Sequence, residues 1–220
     1  MAERTLDHDR KVALEQLPRE LRPAFSALWD LDLAFADVIS TSSDARLGAI
    51  RLAWWRERLE DLDAREPPPA EPRLRAVGNE LLPRGITGQE LSNLEDAWRP
   101  LLEPFPWGQD QVDGLKERGR LLFEVSARLL GGNPIPAEPV GAFWSLADGA
   151  EHCSDTPSRD LLEREALSAL KDLRGRLPGT LRPLTILAAL AAADLVRQGS
   201  GLFRLSAAIR HRLLGTLPRS

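Results

Sequence analysis

Several residue types that often carry chemistry are scarce in this 220-residue sequence, which has one cysteine, three histidines, three lysines and no tyrosine. The single cysteine, Cys153, cannot form an intramolecular disulfide. His8, His152 and His211 lack the spacing of metal ligands, so we do not expect a structural zinc site. His152 directly precedes Cys153, but one such pair specifies little, and an inert thiol explains it better than a nucleophile does.

The sequence also lacks a long uncharged apolar run and an excess of basic residues. The longest apolar stretch, 183–196, is shorter than the roughly 18 residues that span a bilayer, and it contains Asp194. Residues 1–17 are charged throughout, without the apolar centre of a signal peptide. A formal net charge of −4 disfavours nucleic-acid binding. We therefore expect a cytoplasmic protein with no nucleic-acid partner, and peripheral contact with the inner membrane stays open.

Period-two alternation of β-branched and aromatic residues is absent, whereas Ala, Leu, Arg and Glu dominate and Pro and Gly mark breaks. This pattern predicts an all-α fold in one domain, residues 1–220. Asp44 is a predicted N-cap, and Thr87 with Glu90 is a predicted capping box. The proline-rich stretch 64–72 is the only candidate hinge. The predicted helices cover about 6–17, 18–41, 45–64, 72–82, 87–103, 109–130, 137–153, 158–176, 181–197 and 201–215.

Segment 46–63 places two adjacent tryptophans in a highly charged sequence. One apolar face at helical spacing consists of Leu52, Trp55, Leu59 and Leu62. A neighbouring apolar row consists of Leu47, Ile50 and Trp54. Together the two rows predict a helix that is packed on two sides. They favour a core helix over a nucleic-acid stacking platform, which needs exposed rings in a basic groove.

The preceding helix carries acids that bear on metal binding. Asp30 and Asp37 are seven residues apart and share one helical face, whereas Asp32 points well away from it. Paired acids on a helix can hold Mg²⁺ for a diphosphate substrate. Seven residues, however, span about 10 Å of helix axis, which is too far for one small ion. Solvated acids on an exposed face explain the pair equally well.

Residues 21–38 (LRPAFSALWDLDLAFADV) and 45–62 (ARLGAIRLAWWRERLEDL) together resemble the squalene/phytoene synthase family, all-helical enzymes that join two prenyl diphosphates head to head. The second segment fits the family's R-x-x-W-W-R-E-x-L-like pattern. Residues 116–132 (KERGRLLFEVSARLLGG) look like the family's central helix, and 181–215 look like its closing helices. The resemblance implies an isoprenoid-synthase-like helical bundle, shortened around 140–180.

Members of this family carry two Asp-rich helical motifs that hold Mg²⁺ and the diphosphates. An ungapped alignment places the first acidic cluster on Ala36, Asp37, Ser40 and Thr41. Only Asp37 keeps a carboxylate there. One carboxylate beside two hydroxyls supplies too few anionic ligands for a tight Mg²⁺ site.

The second acidic motif is expected after the central helix, where Asp148, Glu151 and Asp155 are the candidate remnants. If the protein is active, the resemblance implies Mg²⁺ as its cofactor and prenyl diphosphates as its substrates. The implied metal ligands are Asp37, Asp148 and Glu151. The implied substrate-binding residues are Asp37, Arg51 and Arg56. No catalytic residue can be assigned.

The match is closer to a catalytically degenerate branch of the family. That branch keeps an L-G-x-x-R-x-x-W-W-R/K helix, loses the Asp pairs, and includes assembly factors for respiratory complexes. Residues 47–59 (LGAIRLAWWRERL) fit this pattern. We therefore expect a squalene/phytoene synthase-like protein without synthase activity that binds an isoprenoid or a partner protein.

Two alternatives stay open. The first is an active prenyltransferase that condenses prenyl diphosphates in terpenoid biosynthesis with an atypical acidic site. The second is a ligand-free helical scaffold or assembly factor that acts through a surface patch, for example the proline-flanked aromatics Trp98, Phe105 and Trp107. The basic amphipathic segment 201–220 is expected to be a packed C-terminal helix rather than a helix on a membrane surface.

Overall fold

The computed structural model of this chain describes residues 6–64, 70–197 and 201–218. Within these residues there are ten α-helices and no strand, which confirms the predicted all-α fold. The candidate hinge at 64–72 falls largely on residues 65–69, outside the described residues. The helices are α1 His8–Gln16, α2 Arg22–Thr41, α3 Ala45–Asp63, α4 Pro72–Glu80, α5 Gly88–Trp98, α6 Gln109–Leu129, α7 Glu138–His152, α8 Thr156–Asp172, α9 Arg182–Arg197 and α10 Gly201–Leu214.

Local side-chain chemistry sets the starts of α3 and α5. The Asp44 carboxylate accepts a hydrogen bond of 2.7 Å from the backbone N–H of Arg46, which satisfies one of the free donors at the helix start. The Thr87 hydroxyl accepts from the backbone N–H of Glu90, and the Glu90 carboxylate accepts from the backbone N–H of Thr87. The predicted N-cap and the predicted capping box are therefore both confirmed.

Helices α6 and α7 approach each other backbone against backbone. A Cβ atom on Gly119 would lie 2.0 Å from the carbonyl oxygen of Gly141, and a Cβ atom on Gly141 would lie 2.2 Å from the carbonyl oxygen of Gly119. Since no side chain fits at either position, glycine is required at this crossing. The crossing also brings Arg118, the residue before Gly119, within reach of side chains on α7.

Helix α3 is buried on one side only. Leu52, Trp55, Leu59 and Leu62 are buried in the core, as predicted. The second row, Leu47, Ile50 and Trp54, is exposed to solvent. The prediction of two-sided packing was therefore wrong. Helical spacing shows that a row is apolar, but whether a neighbour covers it depends on the rest of the fold, and α3 packs mainly against α5.

The segment Gly179–Val196, which includes all of α9 except Arg197, is long and apolar enough to cross a membrane by length and composition alone. In this structure 56% of it is buried inside the protein, where α9 packs against α7, α1 and α10. A core helix of a folded domain passes the same composition test. Here α9 has the position of such a core helix.

Candidate functional site

Four charged side chains from four different helices meet in the interior. They are Arg10 of α1, Asp32 of α2, Arg118 of α6 and Asp148 of α7. Arg10, Asp32 and Arg118 are buried, and Asp148 is nearly so. We call this group the central ionic network. Buried charges are rare unless they are paired, so their convergence marks the most unusual chemistry in the interior.

Arg118 is the best-coordinated member of the central ionic network. Its Nε and Nη2 atoms donate to the two carboxylate oxygens of Asp32 at 2.8 and 2.6 Å, which is a bidentate pair. Its Nη1 atom donates to Asp148 at 2.9 Å and to the hydroxyl of Ser145 at 3.1 Å. A single guanidinium thus joins α2, α6 and α7.

Arg10 makes a second, looser bridge between the same two acids. Its Nη2 atom lies 3.5 Å from Asp32, and its Nη1 atom lies 3.4 Å from Asp148. Arg10 also pairs with Asp7, the residue that caps α1. Its Nε atom is buried and has no hydrogen-bond partner. Each of the two interior acids therefore faces two arginines.

Two tryptophans complete the surroundings of the central ionic network. The indole N–H of Trp98 donates to Asp32 at 3.0 Å. The Arg118 guanidinium carbon lies 4.6 Å from the ring centre of Trp98 and 5.1 Å from that of Trp144. The Arg10 guanidinium carbon lies 5.0 Å from the ring centre of Trp144. Cation–π contacts of this kind help to stabilise desolvated arginines.

The arginines determine the protonation state of Asp148. Burial on its own would raise the pKa of this carboxyl, but the charges of Arg10 and Arg118 outweigh burial and hold the pKa well below its usual range. Burial opposes the charge on Arg118 as well, yet Asp32 and Asp148 raise the pKa of its guanidinium. The network is therefore a set of ionised groups that neutralise one another.

The predicted substrate-binding residues are spread over the outer part of the bundle. The Asp37 carboxylate pairs with Arg73 of α4 at 3.1 Å. Arg51 donates to the hydroxyl of Thr41 at 3.0 Å, near the end of α2. Arg56 pairs with Asp96 of α5 at 2.5 Å. Arg51 thus lies near the helical turn of α2 that contains Asp37 and Thr41. Arg56 instead pairs with an acid on α5.

The predicted metal ligands do not come together. Across the described ranges, no three His, Cys, Asp or Glu side chains form a group that could hold a metal ion. The structure does not bring Asp37, Asp148 and Glu151 together as one set of three ligands, because Asp37 faces Arg73 and Asp148 faces two arginines. Asp155, the other candidate remnant, caps α8 instead.

Asp32 is the acid that sequence reasoning set aside. The helical projection places Asp32 away from the face shared by Asp30 and Asp37. In the structure the Asp32 side chain is buried in the core. A signal was available, because Leu28 and Phe35, four residues before and three after Asp32, are apolar and share its face. An acid in the middle of an apolar stripe requires a buried partner.

The proline-flanked aromatics also need a correction. Trp98 is buried and donates a hydrogen bond to Asp32 of the central ionic network, so it is not an exposed anchor. Trp107 is half-buried, and its backbone N–H donates to the hydroxyl of Ser158 at 2.8 Å. Phe105 remains exposed.

Cys153 is buried, and burial raises the pKa of its thiol, in keeping with an inert cysteine.

A cavity of about 690 Å³ opens beside the network, between α1, α7, α9 and α10. Its wall includes the predicted acids Asp148 and Glu151, but not Asp37. Six carboxylates and two arginines line it, so its wall is net negative; the carboxylates belong to Asp7, Asp9, Asp148, Glu151, Glu163 and Asp194. Partial burial raises the pKa values of Glu151 and Asp194, and the charge of nearby Asp9 raises both further.

The fold and the central ionic network together define an all-α protein in which buried arginine–aspartate pairs connect four of the helices. Residues 4–142 match the family model for squalene/phytoene synthase. Because the match covers more than half of the chain, the protein belongs to the squalene/phytoene synthase family, which confirms the resemblance at the family level. No curated protein and no solved structure matched the chain.

The family match covers only part of the site. Arg10, Asp32 and Arg118 lie inside the matched residues, whereas Asp148 lies six residues beyond their end. Most of the cavity wall, including Glu151 and Asp194, also lies outside the match. The network therefore joins the family-matched part of the chain to the part that follows it.

Proposed function

We propose that this protein is a member of the catalytically degenerate branch of the squalene/phytoene synthase family, without synthase activity, and that it acts by binding an isoprenoid or a partner protein. The strongest support is the pairing of the interior acids with arginine. Asp32 and Asp148 each face both Arg10 and Arg118.

The residues present do not fit a magnesium site. Mg²⁺ requires several oxygen ligands in a compact octahedral arrangement, usually with carboxylates that are free to face the ion. The oxygens of Asp32 that would serve already accept a bidentate pair from Arg118 at 2.8 and 2.6 Å. A dication placed beside two guanidinium groups would meet like charge at short range. Ionisation of an allylic diphosphate needs cations on the leaving oxygens, and here both guanidinium groups are already paired with Asp32 and Asp148.

The cavity supports a ligand of different chemistry. Trp144, Leu187 and Leu195 contribute aromatic and aliphatic surface to its wall, and such surface suits a prenyl chain. The excess of carboxylates on the same wall repels a free diphosphate. An uncharged isoprenoid is therefore the ligand that we favour for the cavity, and the exposed α3 row of Leu47, Ile50 and Trp54 is the surface that we favour for a protein partner.

The decisive experiment incubates purified full-length protein with farnesyl or geranylgeranyl diphosphate and Mg²⁺. We expect no squalene or phytoene in the organic extract and no Mg²⁺-dependent change in melting temperature. In the same thermal-shift format, farnesol should raise the melting temperature more than farnesyl diphosphate does. An active synthase assayed in parallel provides the positive control. Formation of either hydrocarbon product by this protein would rule the proposal out.

A second candidate function is an active prenyltransferase with an unusual acid set. It is favoured by one observation, the position of Asp148 and Glu151 on the wall of the same cavity. If product is formed, Glu151→Gln should abolish it, whereas Glu57→Gln, which alters an exposed acid on α3, should leave turnover unchanged. Equal loss of product in both variants would show that Glu151 has no specific role.

A further inference from the structure

Helix α10 carries an apolar face that no described part of the chain covers. Its exposed apolar side chains belong to Leu202, Leu205, Ile209, Leu213 and Leu214, and these are five of the ten large exposed apolar residues in the described chain. Leu202 is 84% exposed and Leu213 is 69% exposed. Single exposed leucines are ordinary, but such a concentration on one short helix indicates a binding surface.

The spacing of these residues gives the face a definite shape. An α-helix turns roughly 100° per residue, so residues 202, 205, 209 and 213 fall within a sector of about 80°. On the same projection Arg210 and Arg212 fall on opposite sides of this sector, and both are exposed. We call the row with its two flanking arginines the α10 outer face. It has the arrangement of an amphipathic helix that lies in a membrane interface.

Charge is distributed along the chain in a way that matches this arrangement. From residue 195 to residue 220 there are five arginines and no Asp or Glu, although the chain as a whole has a net charge of −4. Helix α3, which carries the other exposed row, has no such excess of positive charge, because its four arginines are matched by four acids, Glu57, Glu60, Asp61 and Asp63. An anionic surface is therefore complementary to the α10 outer face and less so to the α3 row.

The opposite side of α10 is fixed to the bundle, so the outer face is held in position. Ala207 and His211 are buried, and the hydroxyl of Thr185 lies 2.8 Å from Nε2 of His211. Arg204 pairs with Asp9 of α1 and with Asp194 of α9. Since the inner side makes these contacts, the leucines of the outer side remain available to a partner outside the chain.

We propose that the α10 outer face binds the surface of an anionic lipid bilayer. The leucines and the isoleucine enter the boundary between headgroups and acyl chains. Arg210 and Arg212 contact the lipid phosphates at the depth of the headgroups. This inference goes beyond the proposed function, since it holds whether or not the protein makes a prenyl product. The expected packing of the C-terminal helix is met by the inner side of α10, and the proposal assigns the membrane contact to its outer side.

The test is a vesicle sedimentation assay with full-length protein. Vesicles of phosphatidylcholine with added phosphatidylglycerol should carry the protein into the pellet, and vesicles of phosphatidylcholine alone should not. Leu205→Gln with Ile209→Gln should lower the partition coefficient about tenfold or more, because two apolar groups no longer enter the interface. Arg210→Gln with Arg212→Gln should lower it about thirtyfold on the anionic vesicles. Added salt should weaken binding of the wild type.

The matched control is Leu47→Gln with Ile50→Gln on α3, since Leu47 and Leu205 are each 58% exposed. This pair should keep vesicle binding within about twofold of wild type on ordinary expectations for surface changes. Circular dichroism checks that each variant is folded. The proposal fails if the wild type does not bind anionic vesicles, if it binds neutral vesicles equally, or if the α3 pair loses as much binding as the α10 pairs. It also fails if the α10 variants only dissociate a dimer, which analytical ultracentrifugation would show.

Discussion

Two arginines in this protein make the same connection in different surroundings. Arg118 joins Asp32 of α2 to Asp148 of α7, and its side chain is 2% exposed. Arg204 joins Asp9 of α1 to Asp194 of α9, and its side chain is 29% exposed. In each case one guanidinium links two aspartates from two other helices. The surroundings, rather than the contact itself, decide what each pair contributes.

The protonation of the acids shows the difference. Asp148 has two arginines opposite it, and their charges outweigh burial, so its pKa is lowered. Asp194 shares one arginine with Asp9, and burial outweighs that single charge, so its pKa is raised. An ion pair therefore lowers an acid's pKa only when the local positive charge exceeds the cost of desolvation. In the central ionic network two arginines balance the charge of two aspartates, whereas the cavity wall has more carboxylates than arginines.

The largest effect on stability is expected when one arginine of the central ionic network is replaced by an uncharged residue. Arg118→Met should lower the free energy of unfolding by ~3–5 kcal/mol, because it leaves two buried carboxylates with only the looser Arg10 pair. Denaturation with urea, followed by circular dichroism, measures the change. Arg120→Ala, two residues along α6 and partly exposed, should cost less than about 1 kcal/mol.

A double variant tests the cause of that loss. Adding Asp32→Leu to Arg118→Met removes the unpaired acid together with its partner and should recover part of the stability, as apolar replacement of buried pairs often does. If the double variant is less stable than Arg118→Met alone, the loss in Arg118→Met does not come from an unbalanced buried charge.

A smaller effect is expected at the cavity. Arg204→Gln should lower the free energy of unfolding by about 1 kcal/mol, because its pairs are partly screened by solvent. Thermal denaturation at neutral pH measures it. Arg210→Gln, at an exposed position of the same helix, should change the stability by no more than about 0.5 kcal/mol. A loss for Arg204→Gln as large as that for Arg118→Met would remove the distinction between the two arginines.

The smallest effect should depend on pH. The pKa of Glu151 is raised in the folded protein by partial burial and by Asp148, Asp9 and Asp194, so this acid favours folding below its unfolded pKa of about 4.3 and loses that contribution as pH rises. Glu151→Gln should therefore increase stability slightly at pH 7 and change it little near about pH 4. Thermal melts at the two pH values measure this.

The control for this pH effect is the opposite behaviour of Asp148. Its pKa is lowered, so its contribution is present above about pH 4 and is lost as pH falls further. In a carboxyl NMR titration, Glu151 should therefore change protonation at higher pH than Asp148. The reverse order would contradict the difference between the centre and the cavity wall.

Features determined by neighbouring residues were the ones that could be predicted from the sequence. The caps at Asp44 and at Thr87 follow from side chains that bond to backbone groups two or three residues away. The buried face of α3 follows from the periodicity of residues such as Leu52 and Trp55. The family followed from segments that include the tryptophan pair, within the matched residues 4–142.

Features determined by distant residues could not be predicted in the same way. Asp32 meets Arg118 across 86 positions of sequence, and Trp98 meets Asp32 across 66. Spacing rules compare Asp32 only with its helical neighbours, and they placed it outside the site. Its proximity to Pro100 made Trp98 a candidate member of an exposed surface patch, but the tryptophan ends α5 inside the core. The exposure of the second apolar row on α3 was missed for the same reason, because burial of a row depends on tertiary contacts.

The split of the central ionic network between α1 and α7 has a consequence for synthesis on the ribosome. Arg10 emerges early, but Asp148 follows only after 137 intervening residues, since chains are made from the N-terminus. Between the synthesis of Arg118 and that of Asp148, the two guanidinium groups have Asp32 as the one carboxylate of the central ionic network. A nascent chain that stops at residue 142, where the family match ends, would carry that imbalance permanently. The family match therefore ends before Asp148, which both buried arginines of the central ionic network contact.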